Sequence, residues 1–415
     1  MVIPPAPSPL VFGACSLGVA LVVAALGFRF RSRTYATFRL VLFVILIPIA
    51  TALYRGAQAS LGAEVGWIFV FLQGTSFLQS LALIRPRMRS LAYRLVVSWP
   101  SSVYDAGTLL GLIWALLSLV GLAFDWIPPL WWSSFALAAV GLGQSLARRR
   151  DTYVLALDGE AAPGEQPVRW PWTTGDQTPS PRRPLRIAQL TDTHLGPFMS
   201  ERSLAANVRR AVERKPDLIA LTGDFLTMES QADPGHLTRA LAPLRDFDGP
   251  VVACFGNHDY EAPETVKSAL AENGVRLLMD EATVLETPAG SVQVLGAEFA
   301  FRDREERLRA LSAAHPRLEG HLRLWLLHDP GAFRYLADGD ADLVLSGHTH
   351  GGQVGFVSLG AKGTIVSWVT SMPDHGYWAR GQNRLWVHRG TGHYGFPLRL
   401  GVPREESLLL VCSAG

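Results

Sequence analysis

Val251-Val252-Ala253-Cys254-Phe255-Gly256-Asn257-His258-Asp259 is the stretch on which the reading of this chain turns. The five apolar residues have the length and composition of a buried strand. Gly256 lets the backbone turn sharply at the strand's end. Asn257, His258 and Asp259 then follow, with side chains that bind metal, donate hydrogen bonds or accept them. Core packing does not ask for Asn-His-Asp at that point. The meaning of the stretch depends on whether other strands supply partners for it.

They do. From Leu185 onward, short apolar runs alternate with stretches of helical spacing. Strands are expected at Leu185–Leu190, Asp217–Leu221, Val251–Cys254, Leu322–Leu327, Leu343–Leu345, Arg384–His388 and Ser407–Val411. A hairpin is expected from Val284–Glu286 and Val292–Leu295 around Pro288-Ala289-Gly290. Helices are expected at Ser200–Arg214, His236–Phe247, Thr265–Glu272 and Asp303–Ala313. This alternation gives an α/β layered domain, two stacked mixed sheets flanked by helices.

Polar residues follow four other strands. Asp192-Thr193-His194 follows the first, and its i, i+2 spacing puts carboxylate and imidazole on one side of an extended segment. Gly223-Asp224, His328-Asp329-Pro330 and Gly347-His348-Thr349-His350 follow three more. Alone, a Gly-Asp or Asp-x-His is a surface turn. In series, such residues stand beyond the carboxyl ends of strands, where open α/β sheets place their sites.

His and Asp with an Asn amide oxygen suit first-row divalent metals. The absence of Cys among them argues against a structural zinc cluster. Seven ligands are too many for one ion and fit two that share a carboxylate. Paired ions clamp the attacking and leaving oxygens of a displacement at phosphorus. They also bring the pKa of a bridging water toward neutrality, making hydroxide available as nucleophile.

The ordered set Asp192-x-His194, Gly223-Asp224, Gly256-Asn257-His258-Asp259, His328 and Gly347-His348-x-His350 resembles the calcineurin-like metallophosphoesterase superfamily, across Leu185 to Ser413. The runs Ile187–Gly196 and Gly347–Gln353 are similar to its membrane-associated bacterial branch. That branch includes proteins similar to UDP-2,3-diacylglucosamine pyrophosphatase and transmembrane proteins with a metallophosphoesterase domain. The resemblance implies a four-layer α/β/β/α sandwich and a metal-dependent phosphoric ester hydrolase. It assigns Asp192, His194 and His350 to one metal, Asn257, His328 and His348 to the other, and Asp224 to a bridge. His258 then stabilises the phosphoryl oxygens or protonates the leaving group, with Asp259 orienting its imidazole. Manganese is the expected metal; Fe, Zn, Ni and Co also suit this ligand set.

The remaining candidates carry less. His236, His315 and His321 read as surface residues, and His375, His388 and His393, near the C-terminal part, could line the cleft. Arg389, Arg399 and Lys362 could grip a phosphate, with a solvated surface charge as the default for each. Cys15, Cys254 and Cys412 show no CxxC spacing and read as free thiols of a reducing compartment.

The first 150 residues have a different character. The chain is 48% hydrophobic and only 18% charged, which points to a membrane part. Before Asp151 the acidic residues are Glu64, Asp105 and Asp125, and Lys is absent. Apolar runs at 10–28, 38–54, 65–84, 103–124 and 127–147 are expected to form an α-helical transmembrane bundle of about five helices. Arg29, Arg31, Arg33 and Arg39, then Arg85, Arg87, Arg89 and Arg94, then Arg148 to Arg150 fall on one side of five spans. Positive segments face the cytoplasm. The expected location is therefore the cell inner membrane, multi-pass, with the N-terminus outside and the catalytic domain cytoplasmic. Gln73 and Gln79 read as helix–helix contacts, and the lack of a buried charge chain gives a transporter little support.

The expected domains are thus a transmembrane domain, 1–150, a linker, 151–184, and a metallophosphoesterase domain, 185–415. Asp158–Pro184 is rich in turn formers, and Thr152–Leu157 could add an edge strand. A net charge of +2 offers no basic field for a nucleic acid polymer. The leading expectation is a membrane-anchored hydrolase of a phosphate ester or pyrophosphate, with a membrane lipid among the options for its phosphorylated substrate. The rival is a membrane sensor or scaffold that binds a phosphorylated ligand without turnover. Protein partners are not legible.

Overall fold

The computed structural model describes residues 4–124, 130–147, 150–157, 166–167, 183–395 and 398–412. It divides into two compact units, one of residues 1–143 with 395–398, the other of 144–394 with 399–415.

The first unit is helical. Its elements are α1 (Pro9–Phe30), α2 (Arg33–Leu61), α3 (Gly66–Ala82), α4 (Trp99–Leu110), α5 (Leu112–Phe124) and most of α6 (Ser133–Leu146). The Ser8 and Ser32 hydroxyls cap the first two helices by accepting backbone N–H groups. α1, α2 and the segment Ala63–Ala82 are each long and apolar enough to cross a membrane. Leu91–Leu110 and Leu112–Val120 meet at a 49° bend and together make a fourth candidate.

The expected second run, 38–54, lengthens to 29 residues because the helix also takes in residues 33–37 and 55–61, with Arg33 and Arg55. Long arginines can lay their stems on apolar surface while the charge reaches outward. The helix of the fifth expected crossing is shorter than expected among the described residues. α6 has 14 residues, about 21 Å of helix, short of the ~30 Å hydrocarbon layer. Residues 127–129 of that expected run lie outside the described residues. Gln73 and Gln79 are helix contacts: their Oε1 atoms accept from Tyr104 (3.1 Å) and Ser98 (3.0 Å).

The second unit opens with β1 (Arg150–Ala156) and β2 (Gln166–Pro167). Then come β3 (Leu185–Leu190), α7 (Glu201–Glu213), β4 (Leu218–Leu221), α8 (Pro234–Leu241), β5 (Val251–Ala253), α9 (Pro263–Glu272) and β6 (Arg276–Leu277). β7 (Glu281–Thr287) and β8 (Gly290–Gly296) form the hairpin, followed by α10 (Arg304–Ala314), β9 (Leu322–Leu326) and β10 (Leu343–Ser346). β11 (Gly376–Arg380), β12 (Asn383–Val387) and β13 (Glu406–Cys412) close the chain.

One sheet runs β1-β13-β3-β4-β5-β6 and the other β2-β11-β12-β10-β9-β8-β7. β3 to β6 are parallel, as are β8, β9, β10 and β12. Ile187, Leu218, Ala220, Val252 and Cys254 of the first sheet pack against Val294, Leu324, Leu326, Leu343 and Leu345 of the second. The alternate residues, Ala188, Leu190, Ile219, Leu221 and Ala253, meet α7, α8 and α9 through Leu204, Val208, Leu237, Val266 and Leu270. Trp325 and Val344 of the second sheet meet Leu308 and Leu311 of α10. The layers are therefore α/β/β/α. Each such fully buried aliphatic side chain contributes about 1.5–3 kcal/mol.

Two local differences have simple causes. The helix expected over His236–Phe247 gives way at Ala242 to a tighter turn, where Pro243 has no N–H to continue the ladder. The optional edge strand is longer than expected: Arg150–Ala156 pairs in parallel along Glu406–Cys412. Trp170 and Trp172 of the expected linker lie outside the described residues.

Candidate metal centre

Loops leaving the carboxyl ends of β3, β4 and β5 in one sheet, and of β9 and β10 in the other, bring the expected ligands together. Asp192, His194 and His350 offer ligand atoms that all lie within 4.8 Å of one another, and so do Asp224, His328 and His348. Within the first cluster, His350 Nε2 is 3.2 Å from Asp192 Oδ1 and 3.1 Å from His194 Nε2. Asp224 reaches both clusters, with Oδ2 3.8 Å from His194 Nε2 and 3.2 Å from His328 Nε2. Its other oxygen accepts the His258 N–H at 2.9 Å. Asn257 stands directly before that N–H.

The donor set fits divalent ions. Asn257 Oδ1 and His348 Nδ1 are buried without a hydrogen-bond partner, an expensive state for polar atoms unless something else binds them. His328 Nδ1 donates to the Thr222 carbonyl at 2.6 Å and His194 Nδ1 to the Leu226 carbonyl at 3.3 Å. In both rings this fixes the proton on Nδ1 and leaves Nε2 as the ligand atom, the usual support for a metal-binding histidine.

The backbone carries a feature not anticipated from sequence. Asp192, His194, Asp224, His348 and His350 all have left-handed φ, between 42° and 70°. For residues with a Cβ this costs about 1–2 kcal/mol each, and Asp and His tolerate it better than most. Glycines make room beside them. A Cβ on Gly256 would stand 2.2 Å from Asp224 Oδ1, and one on Gly347 would stand 2.2 Å from Asp192 Oδ2.

Electrostatics follow from burial and pairing. Burial opposes ionisation of Asp192 and Asp224, but the surrounding histidines outweigh it and hold both carboxyls well below their usual range. Burial and His350 push His194 down to about 3, so its ring is neutral at pH 7. Burial acts the same way on His328, yet Asp224, Asp192 and the Thr222 carbonyl raise it to about 10. Without metal, His328 is therefore a cation paired to Asp224.

The expectation that Asp259 orients His258 is corrected. Asp259 is buried, and its carboxylate accepts the backbone N–H groups of Asp224 (2.8 Å), Phe225 (2.9 Å) and Gly256 (2.8 Å). It ties the β4 and β5 loops together. The side chain on the His258 ring is Glu261, whose Oε1 is 2.8 Å from Nδ1. Burial lowers the pKa of His258, but the Glu261 bond and the Asp224 charge win and raise it.

Other residues at the site escaped the sequence reading. The Tyr394 ring lies 4.2 Å from that of His258 and 4.7 Å from that of His194, centroid to centroid. Phe299 flanks His328 and His348 at 6.3 and 6.0 Å. Neither adjoins a ligand motif, and only the fold brings them in. Of the weaker candidates, Arg389 is buried against Glu405 and Asp151, at 2.8 and 2.7 Å, and is not a surface charge. Arg399 is also buried, with Nη2 3.1 Å from His350 Nδ1 and donating to the Gly392 carbonyl. Lys362 is exposed. His375, His388 and His393 are buried.

Four α/β/β/α layers with two His/Asp clusters at the strand ends define a metal-dependent phosphoester hydrolase. The chain belongs to the calcineurin-like phosphoesterase family, which matches residues 185–352. It is 31% identical over 234 residues to Phosphodiesterase YaeI of Escherichia coli (strain K12), covering 54% of this chain and 82% of that protein. It is 34% identical over 179 residues to the metallophosphoesterase YkoQ of Bacillus subtilis (strain 168), covering 42% and 63%. A transmembrane protein with metallophosphoesterase domain from Bos taurus is 27% identical over 252 residues, covering 55% and 53%. The family uses divalent metals, and the apolar N-terminal helices associate this chain with a membrane.

Proposed function

We propose that this chain hydrolyses a phosphodiester or pyrophosphate carried by a membrane lipid. Asp192, His194 and His350 would hold one divalent ion, Asn257, His328 and His348 a second, with Asp224 between them and manganese the preferred metal. The observation that carries this reading is Asp224 Oδ2, within 3.8 Å of a histidine of each cluster. When bound, such a pair supplies Lewis-acid stabilisation of phosphoryl charge and acidifies water.

The chain's own groups do the rest. Thr222 and Leu226 carbonyls fix the tautomers of His328 and His194. The Asp259 carboxylate holds the β4 and β5 loops in register through three N–H groups. His258 is half-buried, and Glu261 on Nδ1 leaves Nε2 to face the substrate. With its pKa raised, His258 keeps a proton to give to the leaving-group oxygen. Tyr394 covers one face of that imidazole.

The phosphodiester class is supported by the name of the E. coli relative, and the lipid by the chain's own apolar helices. We place the protein in the inner membrane with its arginine-rich segments and hydrolase unit in the cytoplasm, on the positive-inside rule, a placement that requires α6 to complete a fifth crossing. The decisive experiment is a turnover screen of the purified full chain with Mn²⁺ against lipid phosphodiesters, lipid pyrophosphates and nucleotides. Preference for a lipid supports the proposal; turnover of nucleotides alone rejects it. A periplasmically active phosphatase reporter fused to the C-terminus would reject the cytoplasmic placement.

A further inference from the structure

Between the metal-centre loop and β11 the chain makes an excursion, Gln353–Pro373, that the chemistry above does not use. Its root is tied to the site. The Thr349 hydroxyl donates to the Asp374 carbonyl at 2.6 Å, and the Ile365 N–H to the Val354 carbonyl at 2.8 Å. Thr364 bonds Asp374 and caps the short helix α11 (Ile365–Val369). Its tip is apolar and bare: Leu359 is 80% exposed, Val369 74% and Trp368 56%, with Phe356 and Ile365 also exposed. A contiguous run of large exposed apolar groups marks an interaction surface.

We propose that this excursion rests in the surface of the lipid bilayer to which the chain is anchored. Three observations favour lipid over a protein partner. From Gln353 to Pro373 the only charged residue is Lys362, a cation, as anionic headgroups require. The apolar tip carries Trp368, a residue type at home at the membrane–water interface. Lastly, Gln144 and Ala147, by which the chain leaves its last apolar helix, belong to this same unit. Gln144 Oε1 accepts the Gly401 N–H at 2.7 Å and the Ala147 carbonyl accepts from Arg404 at 2.7 Å. The Gly401 carbonyl in turn accepts the Ser358 N–H at 2.7 Å, so the tip is tied through Gly401 to Gln144 of its own unit.

The consequence is positional. The excursion begins three residues after His350 and is pinned to Thr349 and Asp374, so seating its tip in lipid brings the metal centre to the headgroup level. The inference rests on membrane association rather than on the proposed hydrolysis, and the two fail separately.

The test uses the full chain, with Cys15 and Cys412 replaced by Ser, in vesicles of phosphatidylcholine and phosphatidylglycerol containing nitroxide-labelled lipid. Leu359→Cys and, as a reference on exposed α10, Glu305→Cys each carry a bimane fluorophore. The proposal expects quenching by lipid several-fold stronger at 359 than at 305. Equal, weak quenching at both positions overturns it. Protection at 359 that grows with protein concentration instead of lipid indicates a second copy on this face and also overturns it. A second arm measures Trp368→Ser with Val369→Ser. Turnover of a small soluble diester stays unchanged, while turnover of a vesicle-embedded diester falls several-fold. Equal turnover of both substrates in that variant counts against the proposal. Absence of any turnover in the parent chain sinks the hydrolytic reading and leaves the quenching result standing.

Discussion

Gly256→Ala adds one methyl group at the most crowded point of the site. The new Cβ would stand 2.2 Å from Asp224 Oδ1 and 2.7 Å from Asp224 N, where ordinary contact begins at 3.4 Å. The β4 and β5 loops must therefore part by roughly 1 Å, a displacement that costs about 10²-fold in rate at a catalytic centre. Nothing soft lies in the way to absorb it. Asp224 Oδ1 is fixed by the His258 N–H, and the Asp224 and Gly256 N–H groups share Asp259 Oδ2. Overpacking of this kind destabilises by about 1–3 kcal/mol. The assay is kcat/KM on bis-p-nitrophenyl phosphate with Mn²⁺, with metal per chain counted on the same samples. Gly74→Ala, with nothing within 4 Å of its Cβ, serves as the control. We expect the control to match wild type and Gly256→Ala to lose about two orders of magnitude together with bound metal. Wild-type turnover and metal content in Gly256→Ala would refute the claim that the two loops meet at Asp224 in the active enzyme.

Other outcomes follow from the same geometry. Glu261→Gln removes the partner that raises the pKa of His258, so the alkaline limb of the kcat/KM profile moves to lower pH. Its kcat falls roughly 10-fold at unchanged KM, part of the ~10²–10⁴ a positioned general acid provides; an unmoved limb would clear Glu261 of this role. Asp259→Asn replaces one of the two acceptor oxygens by an amide N–H₂ that faces at least one of the three backbone donors, and destabilises by about 1–3 kcal/mol, read as a drop in thermal midpoint with little change in the pH profile. His328, at about 10 without metal and near 6.5 when unfolded, is protonated in the folded metal-free chain at pH 7.5. Metal uptake at that pH must expel this proton, so the Mn²⁺ binding enthalpy will vary with the ionisation enthalpy of the buffer, and no variation contradicts the assignment. The sign is fixed: the His328–Asp224 pair stabilises the metal-free fold below pH 6.5 and loses that contribution as pH rises through about 10.

The strand ends were readable because they are local. Apolar runs as short as Leu343–Leu345 declare a buried strand, and a Gly followed by His or Asp has no packing role there. The pairing of Asp192 with the Gly347 loop, and of Asp224 with His328, came only through resemblance, since no spacing joins residues more than a hundred positions apart. Left-handed φ at Asp192, His194, Asp224, His348 and His350 was invisible for another reason: a residue with a Cβ gives no sign that its neighbours force it there. Glu261 was missed because the adjacent Asp259 looked the natural partner, and only the three N–H groups converging on Asp259 show it occupied elsewhere. Tyr394 enters by tertiary folding alone. In the helical unit, hydropathy located the apolar runs, but the 49° bend between Leu110 and Leu112 and the 14-residue length of α6 are details that an average over a window blurs.

The central claim is that phosphoester turnover runs through metals shared at Asp224. Bound metal and diester turnover measured on one preparation of the full chain, wild type beside Asp224→Asn, test it most directly. The account predicts two divalent ions per chain and turnover in wild type, with both lost in the variant. Undiminished turnover in Asp224→Asn would contradict it.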